Sequence, residues 1–97
     1  MSNLEEIKTI LEKHKQELIE KYNLKEIAIF GSFIRGEQKR KSDIDILVEF
    51  NEVPDIFLLI DLEDYLRKLL NKKVDLVRKE AIRAELKETI LKEAVYI

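Results

Sequence analysis

The chain has 97 residues, 45% of them hydrophobic and 39% charged, with a formal net charge of −2. That length supports one domain, residues 1–97, around one core. No apolar run nears the roughly 20 residues that a bilayer crossing needs, and the opening MSNLEEIK lacks the basic-then-apolar order of a signal peptide, so the cytoplasm is the expected setting. The lack of cysteine excludes disulfides and thiolate metal sites, the single histidine argues against zinc, and the acidic balance gives no field for direct nucleic-acid binding.

Leu4, Ile7, Leu11, Leu18 and Tyr22 recur at helical spacing, which predicts a first helix over residues 3–22 with Ser2 or Asn3 as its N-cap. His14 shares that stripe and reads as a boundary residue, and Asn23 offers a stop. Ile27 to Phe30 is a short apolar run expected to be a buried strand, and Gly31-Ser32 turns the chain out of it. Phe33 to Arg35 can start a short helix that Gly36 ends, and residues 37–42 form a polar loop.

Ile44, Ile46, Val48 and Phe50 alternate with Asp43, Asp45, Leu47 and Glu49, the period of a strand with a carboxylate-bearing face. Residues 51–55 make a turn containing Pro54. Ile56 to Leu70 then reads as a helix with Ile56, Leu59, Ile60, Leu66, Leu69 and Leu70 toward the core. Val74-Asp75-Leu76-Val77 is expected as a third strand. Leu86, Ile90, Leu91, Ala94 and Ile97 mark a last helix from about Ile82. The expected fold is a small α/β (α+β) domain, a mixed three-stranded sheet flanked by helices. The first two strands pair antiparallel, and the long helix makes a parallel crossover to the third.

Aspartate is a poor strand former, and two of them two positions apart project from one face, where like charges repel. Asp43 and Asp45 could hold one or both of two divalent ions about 4 Å apart, the arrangement used for in-line displacement at phosphorus. They could equally be a turn residue and a solvent-facing one. Asp75, flanked by Val74 and Leu76, can complete a three-carboxylate cluster if its strand lies beside the second. Carboxylate oxygens suit magnesium or manganese. Gly31-Ser32 is either a plain turn or a close backbone approach to an anion. Lys39, Arg40 and Lys41 read as a solubilising loop, while Arg35 is placed to meet a triphosphate or to pair with an aspartate.

Taken together, Gly31-Ser32-x-x-Arg35-Gly36, Ser42-Asp43-Ile44-Asp45 and Val74-Asp75-Leu76-Val77 resemble the nucleotidyltransferase signature of the polymerase β-like superfamily. Nearly the whole chain resembles its minimal nucleotidyltransferase (MNT) branch, and residues 90–97 resemble the close of that branch's last helix. Phe33-Ile34 stand where small or basic residues are usual. The resemblance implies the nucleotidyltransferase fold and ATP as donor, with the β and γ phosphates at Gly31 and Ser32 and with Arg35 and Ser42 as further nucleotide-binding residues. It implies magnesium, two ions, on Asp43 and Asp45 with Asp75 completing the catalytic set and orienting or activating the attacking hydroxyl. It also implies an antitoxin role, transfer of AMP to a tyrosine of a HEPN-domain ribonuclease toxin. Masking of that partner by binding alone, and transfer to a small molecule such as an aminoglycoside, are the competing readings.

Overall fold

The computed structural model describes residues 3–39 and 41–97, so Ser2 as a cap and Arg40 in the basic loop lie outside the described residues. Helix α1 (Leu4–Tyr22) begins at a capping box. The Asn3 side chain accepts from Glu6 N–H at 2.9 Å, and Asn3 N–H donates to the Glu6 carboxylate at 3.2 Å. Ile7, Leu11, Leu18 and Tyr22 are its buried stripe, as the spacing predicts. Asn23 ends it in the left-handed region at φ 56°. His14 is half-buried, its Nδ1 2.9 Å from the Ile10 carbonyl, a boundary residue.

Strand β1 (Leu24–Phe30) starts earlier than its apolar run because Lys25 and Glu26 stay exposed while Leu24 packs inward. It leads through Gly31 into a single helical turn, α2 (Ser32–Arg35), which Gly36 closes at φ 70°. Strand β2 (Ile44–Phe50) pairs antiparallel with β1. Helix α3 (Ile56–Leu70), capped by Asp55 accepting from Leu58 N–H at 2.8 Å, crosses over to β3 (Val74–Arg78), which lies parallel to β2. A 3-10 turn (Lys79–Ala81) leads to α4 (Ala84–Glu93).

Three expectations are corrected here. The sheet has four strands, in the order β3-β2-β1-β4, and the last helix does not run to Ile97. It stops at Glu93, and Val95–Tyr96 form β4 against Ala28 and Ile29, with Ile97 N–H reaching the Ile27 carbonyl at 3.0 Å. Val, Tyr and Ile favour extended backbone, and β1 offered them an unpaired edge. The inward stripe of α3 also differs: Leu62, Leu66 and Leu70 are its buried residues, at steps of four. Ile56 and Ile60 stand 61% and 58% exposed, beside Phe57 at 79%.

The two sheet faces are unequally covered. Ile27, Ile29, Ile44, Ile46, Val48, Phe50 and Val74 face α1 and α3 in the main core. Ala28, Phe30 and Leu47 face the other way and pack against Val77, Ile82, Ile90, Leu91 and Ala94. This second face has a thinner cover, since α4 has no fully buried residue. Strand alternation puts Asp43, Asp45 and Asp75 on it. No helix among the described residues is long and apolar enough to cross a membrane.

Candidate active site

Asp45 lies at the meeting point of three strands' worth of register. It is opposite Phe30, the last residue of β1, and level with Asp75 on β3. Asp43 precedes it by two residues, just before β2 begins. Asp43 and Asp75 are exposed and Asp45 is half-buried. Burial pushes the Asp45 carboxyl up to about 6, reinforced by the charge of Asp75, by a hydrogen bond to it and by the charge of Asp43; Arg35 works against the shift. Asp45 and Asp75 are thus neighbours in register on adjacent strands. Among the described residues no three carboxylate or imidazole groups close up around a common point, so the acids form an open row.

Gly31 is required where it stands. Its φ of 81° lies in the region that side chains avoid, and an added β-carbon would fall 2.9 Å from the Asp45 Cγ, on the carboxylate itself. The Gly31 carbonyl accepts from Ile34 and Arg35 N–H at 3.0 and 3.2 Å, which builds the α2 turn. Ser32 opens that turn half-buried, with its carbonyl engaged by Glu37 N–H at 2.9 Å. The fold therefore brings Gly31 directly against Asp45, with Ser32 the next residue along.

The two remaining expected nucleotide contacts are committed elsewhere. The Ser42 hydroxyl accepts from Lys39 N–H at 2.7 Å and closes the loop before β2. Arg35 pairs with glutamates and not with an aspartate. Its Nε donates to Glu37 at 2.8 Å and its Nη1 to both carboxylate oxygens of Glu93, at 3.0 and 3.1 Å. Glu93 also accepts from Gly31 N–H at 2.8 Å. Sequence reasoning passed over Glu93, which looks like one more charged residue near the end of a helix and meets its partners only through the fold.

The profile of the nucleotidyltransferase domain family matches residues 11–97, a span that contains the glycine turn and all three aspartates. The chain belongs to the nucleotidyltransferase domain family. This nucleotidyltransferase domain is 48% identical over 97 residues to the protein adenylyltransferase MntA of Thermococcus cleftensis, covering 100% of this chain and 98% of that relative. It is 61% identical over 82 residues to a candidate protein adenylyltransferase of Methanocaldococcus jannaschii, covering 84% of this chain and 95% of the relative. A solved toxin–antitoxin complex with AMP-PNP superposes at a TM-score of 0.72 and 29% identity, covering 88% of this chain and 70% of that one.

Proposed function

We propose that this nucleotidyltransferase is a protein adenylyltransferase antitoxin. It moves AMP from ATP to a tyrosine hydroxyl of a HEPN-domain ribonuclease toxin, and so neutralises that partner. The observation that carries the chemistry is Asp45 level with Asp75 on neighbouring strands, seated directly against the Gly31 turn. The acceptor class rests on the full-length similarity to an MntA adenylyltransferase and on the likeness to a toxin–antitoxin complex holding an ATP analogue.

In this reading the triphosphate lies along Gly31 and Ser32, with Arg35 and Ser42 as secondary contacts. The acceptor oxygen attacks the α-phosphorus in line, a P–O bond forms to it, the bond from the α-phosphorus to the bridging oxygen breaks, and pyrophosphate leaves. The hydroxyl proton passes to a carboxylate of the acid row placed beside it. The donor set fits one or two magnesium ions, with manganese as a substitute: Asp43, Asp45 and Asp75 are all hard oxygen ligands, and their mutual repulsion is what a divalent ion relieves. Such ions would supply charge neutralisation at the phosphates and a more acidic acceptor hydroxyl. The donor ATP is a cytoplasmic nucleotide, which supports a cytoplasmic setting for the reaction.

Intact-mass spectrometry of the co-expressed toxin tests this. One or more AMP additions that require magnesium and ATP, and that vanish in Asp43→Asn/Asp45→Asn, are expected. Neutralisation of the toxin by that double variant with no mass change would sink the catalytic reading in favour of masking. Transfer to an aminoglycoside without any protein partner would replace the acceptor.

A further inference from the structure

Glu93 is tied to the two groups that a triphosphate would need. One carboxylate takes the Gly31 N–H and both hydrogen bonds from Arg35 Nη1, while Glu37 holds Arg35 Nε. A backbone N–H beside a guanidinium is a donor pair suited to an oxyanion, and phosphate and carboxylate compete for it on equal geometric terms. Arg35 remains near enough to Asp45 to counter its upward shift, so the pair lies within the field of the acid row. Glu93 itself is largely shielded, with 17% of its side chain exposed against 48% for Arg35.

We propose that Glu93 is a positioning residue acting through Arg35: its carboxylate occupies the donors meant for the triphosphate, and nucleotide binding exchanges one anion for the other. This rests on the nucleotidyl-transfer reading above. The exchange has a structural consequence, because Glu93 is the last residue of α4 and lies two residues before β4. Releasing it loosens the segment that covers the carboxylate face. Glu93 thus lowers resting affinity for nucleotide while keeping the turn in shape.

Calorimetric titration of the whole chain with the magnesium complex of α,β-methylene ATP tests the exchange. Glu93→Gln keeps the side chain's size and removes its charge, and it is expected to bind about fivefold more tightly, the scale of one lost partly exposed charge competitor. In an Arg35→Ala background the gain is expected to shrink, since only the Gly31 N–H is then left to be freed. Glu93→Asp, which draws the carboxylate back by one methylene, should shift affinity the same way and covers the case in which the glutamine variant unfolds. Unchanged or weaker binding by a folded Glu93→Gln protein overturns the proposal, because a purely structural tether would weaken binding when cut. A gain undiminished without Arg35 also overturns it. If folded wild type binds no nucleotide at all, the nucleotidyl-transfer reading falls first and takes this one with it.

Discussion

Asp45→Asn should stabilise the metal-free protein at neutral pH, because the wild type holds a half-buried carboxylate between two others. Its carboxyl is pushed from 3.8 up to about 6. At about 1.36 kcal/mol per unit that is a gross penalty of about 3 kcal/mol, which screening by water at a partly open site reduces to about 1 to 1.5 kcal/mol. For a chain of this size, about 1 kcal/mol moves Tm by about 4 to 8 °C.

The sign follows from the raised value. Protonated Asp45 contributes stability that is fully present below pH 3.8 and is lost as pH rises through about 6, so the wild type gains relative to the variant as pH falls from 7 to 4. Denaturant melts of both proteins with a chelator, at pH 7 and at pH 4, read the difference. The asparagine variant should lead at pH 7 and lose that lead at pH 4, and magnesium should raise the wild type alone. A variant less stable at pH 7, or a gap that does not change with pH, refutes the charge-crowding argument.

Gly31→Ala should cost about 2 to 3 kcal/mol, from its positive φ and the collision with Asp45, and should abolish nucleotide binding measured by calorimetry. Tyr22→Phe should change stability by less than about 1 kcal/mol in urea melts, since the buried Tyr22 hydroxyl has no close hydrogen-bond partner among the described residues beyond the influence of Asp61. Phe57→Ser should alter stability by less than about 0.5 kcal/mol, whereas Leu66→Ala four residues past Leu62 on the inward stripe should lose about 2 to 5 kcal/mol. Equal losses at Phe57 and Leu66 would refute the placement of α3, which leaves Phe57 at the surface and Leu66 in the core.

The acid row was legible because period-two alternation is rigid: once Ile44, Ile46 and Val48 go inward, Asp43 and Asp45 must share the other face. Asp75 followed from the same rule applied to a four-residue run, and the parallel crossover supplied the register. The stripe of α3 holds at Leu59, Leu66, Leu69 and Leu70 and fails at Ile56 and Ile60, because Ile56 to Ile60 is an unbroken apolar run, which gives periodicity no polar residue to anchor its phase. β4 was missed because two residues carry no period, and Glu93-Ala94-Val95 continue a helical pattern as readily as they end one. Glu93's role depends on contacts 58 and 62 residues away, a relation that no local window holds.

The thin cover of the carboxylate face bears on how the molecule breathes. α4 buries no residue fully and β4 adds only two pairs to the sheet, so this segment can open alone at a fraction of the global unfolding free energy. The Gly31 amide is protected by a side chain on that segment, while the amides of Ala28 and Leu47 sit in the β1–β2 ladder. Native-state hydrogen exchange should therefore release Gly31 in a sub-global event and hold the ladder until the whole domain unfolds. Closing the Gly31–Glu93 contact spans 62 residues, which places it late in folding, after the hairpin that carries Asp43 and Asp45.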